Sequence, residues 1–257
     1  MSARPDVVVG VPICRRTAYV LDKFLCNQEE IQKAYPGCSL AFATDEPDFI
    51  TELEEQIKMH DLTGRVIAYE TVKPAHARTR LWSITCGRET LRRYALSMNV
   101  EYLLFLDGDM VFKPSVINIM KDRIRDFDVV FNGYLMPPDG FWGFGNGCLM
   151  ISRKILGKIV FRFYEFNNGQ VIDESETLDC GLFKCRAKVN KGIFVSIKHY
   201  INRDKYYTIE PRPVGWFQMM VNNMLIRFML TQVSILIRYN IARKLQSRVY
   251  RTAKLSV

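Results

Sequence analysis

Histidine is scarce in this chain, with three in 257 residues, and its seven cysteines never form a Cys-x-x-Cys pair. An odd cysteine count without that spacing argues against a disulfide framework and a zinc ribbon. Most of the cysteines read instead as small buried apolar side chains, in keeping with a reducing compartment. Met1-Ser2-Ala3-Arg4-Pro5-Asp6 has no apolar h-region, so no secretory leader is expected. Crossing a bilayer as a helix takes ~20 apolar residues. The most apolar region falls short of that, because only ten residues separate Arg227 from Arg238. Internal repeats and low-complexity linkers are also lacking. Acidic residues thin out toward the C-terminus: residues 201–257 hold ten Lys and Arg against two Asp and Glu, which is eight of the net +9 charges. The first 200 residues are nearly neutral, so any basic partner surface belongs to the C-terminal part. The whole chain is 48% hydrophobic and 25% charged, a composition that builds a packed core in one large domain or two small ones.

The chain is organised around Leu103-Leu104-Phe105-Leu106-Asp107-Gly108-Asp109. Four consecutive apolar residues bounded by turn signals read as a strand buried on both faces, as in a parallel sheet. Two carboxylates at its carboxyl end lie where open α/β sheets bind ligands. Gly108 between them would let the backbone turn sharply. Short oxygen-bearing side chains suit a hard divalent cation that keeps positions for water and phosphate oxygens. The plain alternative is an acidic solvated loop.

Strands and helices alternate around this segment. Strands are expected at 7–12, 39–44, 64–69, 102–106, 129–133 and 148–151, with helices over 17–35, 49–60, 77–98 and 116–125. In the third helix Leu81, Ile84, Leu91, Tyr94 and Ala95 read as the inward face. A loop rich in Gly, Pro and aromatics occupies 137–147. A short helix begins at Arg153, another runs over about 178–190, and a strand is expected at 193–195. This alternation means βαβ units and a mainly parallel sheet.

The order of these features resembles the GT-A fold, and within it the inverting family-2 nucleotide-sugar glycosyltransferases, over roughly residues 5–200. The resemblance implies an α/β, Rossmann-like mixed sheet flanked by helices. It implies that Asp109 binds Mn2+ or Mg2+, with Asp107 on the ribose or the metal's water shell. It places Asp45, at the end of the second strand, on the N–H of the base, with Pro12 beneath that base. Arg78 in Ala77-Arg78-Thr79-Arg80 would meet base or phosphate, with Arg80 as its rival. Trp142 and Gly147, in Trp142-Gly143-Phe144-Gly145-Asn146-Gly147, would form a floor for the sugar. Aligning Leu182-Phe183 with the family's helical pair puts Asp179 at the catalytic base, with Glu176 in reserve. Leu178 then stands where the family has Glu, a departure. His199, about twenty residues later, matches a metal-binding histidine, and an imidazole nitrogen suits manganese. Apart from the resemblance, their charge makes Arg203, Lys205, Tyr206 and Tyr207 candidates for a lid over the diphosphate. Each assignment has a bland rival: an N-cap for Asp45 and Asp179, a surface charge for Arg78, a structural imidazole for His199.

The composition changes again near Val214. Asn223, Arg227, Thr231, Ser234 and Arg238 form one polar stripe on an otherwise apolar helix, followed by Arg243, Lys244, Arg248, Arg251 and Lys254. Such a helix suits an anionic membrane interface, or packing on a second subunit, but not nucleic acid. The division expected is a catalytic domain over 1–212 and an amphipathic basic region over 213–257. The reading is a cytoplasmic, peripheral-membrane glycosyltransferase that uses a nucleoside-diphosphate sugar, UDP- before GDP-, and acts on a glycan or lipid-linked acceptor. The rivals are a haloacid-dehalogenase-like phosphatase, with Asp107 as nucleophile, and a non-catalytic scaffold.

Overall fold

The computed structural model describes residues 5–70, 79–136, 141–165, 171–172 and 174–215. In chain order these form β1 (Val7–Pro12), a 3-10 turn (Arg15–Val20), α1 (Leu21–Ala34), β2 (Cys38–Thr44), α2 (Pro47–Met59), β3 (Gly64–Ala68) and α3 (Thr79–Met98). Next come β4 (Tyr102–Leu106), β5 (Met110–Phe112), α4 (Val116–Ile124), β6 (Val129–Asn132), β7 (Tyr134–Met136), β8 (Phe141–Gly143), β9 (Cys148–Ser152) and α5 (Arg153–Leu156). The last are β10 (Tyr164–Glu165), β11 (Val171–Ile172), α6 (Glu174–Lys184), β12 (Val189–Gly192), β13 (Ile197–Tyr200) and β14 (Tyr206–Ile209).

Among the described residues the main sheet has seven strands in the order β12-β6-β9-β4-β1-β2-β3. All neighbours are parallel except β9, which runs antiparallel to both β4 and β6. The mixed, mainly parallel α/β sheet expected from the sequence is therefore present. Period-two alternation splits each central strand between two cores. Leu104 and Leu106 join Val7, Val9 and Val11 under α1, α2 and α4, while Leu103 and Phe105 join Val8 under α3, α5 and α6. Cys38 and Cys86 are buried in these cores, which pushes both thiols up to about 12.

Two expectations fail locally. The helix expected over 178–190 is α6, which starts at Glu174 and ends at Lys184. Arg186 adopts φ 53° and the chain leaves in a Schellman turn, with Ala187 N–H on Leu182 O and Arg186 N–H on Phe183 O, both 2.9 Å. Ending there frees Val189–Gly192 to pair with β6, so the strand expected at 193–195 lies earlier. The inward face of α3 is also rotated: Trp82, Cys86, Leu91 and Ala95 are buried, whereas Leu81 and Tyr94 only flank them. The cause is polar. Arg88, Glu89 and Arg92 are buried on this helix, so the apolar spacing alone misplaces its axis. Glu89 accepts two bonds from Arg92 and one from the Phe161 N–H.

Candidate active site

The site forms at the carboxyl ends of β1, β2 and β4. Beyond β4, the Asp107 N–H donates to Gly147 O at 3.1 Å and the Met110 N–H donates to Asp107 O at 3.2 Å, closing a turn over Gly108 and Asp109. A Cβ on Gly108 would meet its nearest neighbours at an ordinary 3.5 Å, so the turn itself does not need glycine there, which leaves close approach to a ligand as the reason for it. Glycine is needed at Gly147 instead. A Cβ there would fall 2.4 Å from Asp107 Oδ2 and 2.9 Å from Met110 Cε.

From the turn, β5 pairs antiparallel with β13, setting His199 opposite Met110, and the Tyr200 N–H donates to Asp109 O at 2.9 Å. This short ladder brings two residues far apart in sequence together: His199 Nε2 lies 3.6 Å from Asp109 Oδ1. His199 Nδ1 lies 2.6 Å from Leu135 O. A carbonyl only accepts, so Nδ1 carries the hydrogen and Nε2 faces the carboxylate. Two lone pairs face each other there unless a proton or a cation lies between. Burial disfavours the imidazolium, but the Asp109 carboxylate and the Leu135 carbonyl outweigh it and raise the His199 pKa. A nitrogen and an oxygen donor, with the imidazole tautomer fixed by a backbone acceptor, fit a Mn2+- or Mg2+-type ion that completes its shell with water and phosphate. Asp107, Asp109 and His199 do not close into a compact three-ligand cluster. That arrangement suits two protein ligands better than three.

Asp107 has a different partner. Arg88 Nη2 donates to its Oδ1 at 2.7 Å, and the guanidinium lies over the Phe105 ring with 5% of the side chain exposed. Burial nonetheless raises the Asp107 pKa; Arg88 opposes the rise and Asp109 adds to it. Sequence reasoning missed Arg88. Its signal was an arginine in register with Thr85 and Arg92 on the buried side of α3, where a charge needs a partner.

A cavity of about 540 Å³ opens over these groups, within the ~300–1,000 Å³ usual for ligand pockets. Pro12, Asp45, Asp107, Asp109 and His199, all predicted, line it together with Arg16, Thr17, Tyr19, Tyr69 and Ser83. Ser83 Oγ donates to Asp45 Oδ2 at 2.8 Å, and Tyr69 OH donates to Ser83 O at 2.7 Å. Pro12 meets α3 at Gly87, where a Cβ would fall 3.1 Å from the proline Cβ.

Other predicted residues lie elsewhere. Asp179 is buried in the second turn of α6, not at the helix start, and is not part of the cavity wall. One turn earlier, Ser175 Oγ accepts from Asn146 Nδ2 at 3.1 Å, tying α6 to the segment that ends at Gly147. Trp142 sits on β8 opposite Leu135, its side chain outside the described set, as are those of Arg80 and Glu176. Arg78 and residues 216–257 lie outside the described residues. Arg203, Lys205, Tyr206 and Tyr207 do not line the cavity, whereas Tyr200 and Ile201 do. No helix among the described residues is long and apolar enough to cross a membrane.

No protein-family model matches the sequence, and no curated protein matches it. Solved structures do. A mannosyltransferase from Pyrobaculum calidifontis, in complex with GDP-Man and Mn2+, is 15% identical with a TM-score of 0.52 over 74% of this chain and 55% of its own. S. aureus TarS 1–349 in complex with UDP is 13% identical with a TM-score of 0.51, over 79% of this chain and 59% of its own. A197 from STIV is 14% identical over 81% of this chain and 95% of its own, with a TM-score of 0.44. The first two likenesses establish a GT-A-like fold, and this chain spans little more than half the length of either.

Proposed function

We propose that the protein transfers a sugar from a nucleoside-diphosphate sugar, UDP- before GDP-, to an acceptor in a single inverting, divalent-metal-dependent displacement. The observation that carries this reading is the cavity itself: Asp109 and His199 sit together in its lining, and Asp45 lines the same cavity. In this reading Asp45, oriented by Ser83, accepts the N–H of the base over Pro12. Asp107, held by Arg88, takes the ribose. Asp109 and His199 hold Mn2+ or Mg2+, which supplies Lewis-acid neutralisation of the departing diphosphate when bound. Arg78 meets base or phosphate, and Trp142 and Gly147 floor the sugar. Asp179 accepts the proton as the acceptor oxygen bonds to the anomeric carbon and the carbon–phosphate-oxygen bond breaks. The Asn146–Ser175 bond supports that last assignment, since it anchors the helix of Asp179 beside Gly147 and hence beside Asp107. A phosphate acceptor would arrive ionised and lean less on Asp179.

The phosphatase reading loses ground here. That reading makes Asp107 the nucleophile, whereas the Arg88 bond to its Oδ1 holds it as a carboxylate that accepts from a ligand hydroxyl. Residues 1–212 form the catalytic domain in this proposal. Residues 213–257 carry it to the cytoplasmic membrane face, toward a lipid-linked acceptor or growing glycan, or into a homo-oligomer. A screen of nucleotide sugars for Mn2+-dependent hydrolysis tests the core of the reading, with thermal stabilisation by UDP or GDP that chelator reverses; no response to any nucleoside diphosphate overturns it. Asp179→Asn should abolish transfer to a hydroxyl and spare donor binding. Removing residues 214–257 should release the protein from anionic vesicles, or alter its sedimentation if the segment joins subunits.

A further inference from the structure

On the α1–α2 side of the sheet, away from the cavity, three side chains of metal-ligating type meet. Cys26 and Glu29 are three residues apart on α1 and so share a face. His60 follows α2 directly and points back at them, its Nδ1 2.5 Å from Glu29 Oε1. One donor atom from each of the three lies within 4.8 Å of the others, the compact trio that Asp107, Asp109 and His199 do not make. We propose that Cys26, Glu29 and His60 hold a second divalent ion, of the zinc class, distinct in chemistry from the ion proposed at Asp109.

The donor set argues for that class. A thiolate, an imidazole and one carboxylate oxygen match zinc-type sites, with a fourth position left to water, and suit manganese or magnesium poorly. The scaffold is rigid. Asp61, at φ 49°, ends α2 in a Schellman turn, with Leu62 N–H on Ile57 O at 3.0 Å and Asp61 N–H on Lys58 O at 3.1 Å. The chain after it is clamped to α1 twice: Gln32 Nε2 donates to Thr63 O at 2.8 Å, and the Thr63 N–H donates to Gln32 Oε1 at 2.9 Å. His60 is thus fixed against α1 by contacts that owe nothing to its own ring. Lys33 approaches the other oxygen of Glu29, Oε2, at 3.5 Å, so Oε1 stays on the side of Cys26 and His60. Partial desolvation and the carboxylates of Asp22 and Glu29 push the Cys26 thiol up. The same negative field draws a cation, and on binding the thiol proton leaves to solvent as the sulfur–metal bond forms. The bound ion would cross-link the end of α2 to the middle of α1.

Cobalt(II) is the probe, since a thiolate ligand gives it a charge-transfer band in the near ultraviolet. Titrating the full chain should produce that band at about one cobalt per chain, and zinc should displace it. Cys26→Ser, at an exposed position, should remove the band, and His60→Gln should weaken cobalt binding at least tenfold, the low end of what disturbed metal shells cost. Asp109→Ala should leave the band intact, which separates failure here from failure of the glycosyltransferase reading. No band, or a band that survives Cys26→Ser, overturns the proposal.

Discussion

Strands β1 and β4 carry a carboxylate cluster near each end, and the two are supplied very differently. At the amino ends, Asp6 O accepts the N–H groups of Glu101 and Tyr102 at 2.8 and 3.1 Å. Its Oδ2 receives both Tyr35 OH and Lys121 Nζ at 2.6 Å. Burial works against ionising Asp6, but those two donors outweigh it and lower its pKa. At the carboxyl ends, Asp107 has Arg88 and yet its pKa is raised, because burial and the adjacent Asp109 count for more. The contrast is physically informative. A carboxylate whose task is structural is given enough donors to stay charged by itself. The cluster at the cavity is left with more negative charge than its surroundings compensate, and a cation is what would complete it.

The sharpest break of this comparison is at Arg88. Arg88→Ala removes a buried donor to Asp107 Oδ1 and leaves a carboxylate stranded beside Asp109. Removing one partner of a buried pair costs about 3–5 kcal/mol, and the partial exposure of Asp107 argues for about 3. Urea unfolding should show that loss, and Arg88→Met combined with Asp107→Asn should recover part of it. Equal losses in the single and double variants would mean that a stranded Asp107 carboxylate is not what Arg88→Ala costs.

Asp109→Ala comes next and reverses the pattern. It deletes charge from the overloaded cluster, so stability should hold within about 0.5 kcal/mol. Mn2+-dependent turnover should nevertheless fall on the order of 10²–10³-fold, as for other preorganised charge-stabilising groups. A full-strength enzyme with alanine there would show that the ion binds elsewhere.

These two residues also mark where sequence reasoning succeeds and where it stops. The place of Asp109 in the cavity lining was legible because β4 is a pure apolar run and the residues beyond its carboxyl end lie where open α/β sheets form clefts. His199 was legible only through the family resemblance. The β5–β13 ladder that brings it to Asp109 is too short to show as a pattern. Arg88 was not legible: an arginine on a helix reads as solvent-facing, and the mixture of buried charge and apolar residues on α3 blurred the face that a hydrophobic spacing should mark. The end of α6 was missed for a backbone reason. Arg186 takes a left-handed conformation usually left to glycine or asparagine, so nothing in the residue type announced the stop.

Gly147→Ala perturbs the same cluster more gently. The new Cβ would press on Asp107 Oδ2 and Met110 Cε, and the chain would shift to relieve it. Overpacking of this kind costs typically ~1–3 kcal/mol. Donor affinity should fall with it, read by nucleotide-induced thermal shift, while the same substitution at Gly108, where the space is ordinary, should cost much less. Equal effects at the two glycines would remove the distinction drawn between them.

The smallest effect lies at the other end of the strands and depends on pH. The folded pKa of Asp6 is below its unfolded value of about 3.9, so between the two the unfolded chain binds more protons and stability rises with pH. The contribution is complete above about pH 5 and is lost as pH falls through the folded value. Asp128 shares this behaviour: burial opposes it, but the Lys188 N–H and Lys154 lower its pKa. The wild-type acid limb therefore holds at least two such groups, and only a difference measurement isolates one. Against Asp6→Asn, wild type should be more stable by at most about 1 kcal/mol at neutral pH, given how open the pair is to solvent. That margin should shrink below pH 5 and vanish once Asp6 is protonated in both states. Lys121 is shifted upward by the same contact, so its share persists through neutral pH and is lost only in strong alkali. Lys121→Met should accordingly reproduce much of the acid-side change, because it removes the charged one of the two donors that hold Asp6 ionised. A margin that stays constant from pH 7 down to pH 2 would mean that the Asp6 side chain acts through something other than its charge, because the backbone bonds from Glu101 and Tyr102 are the same in both proteins.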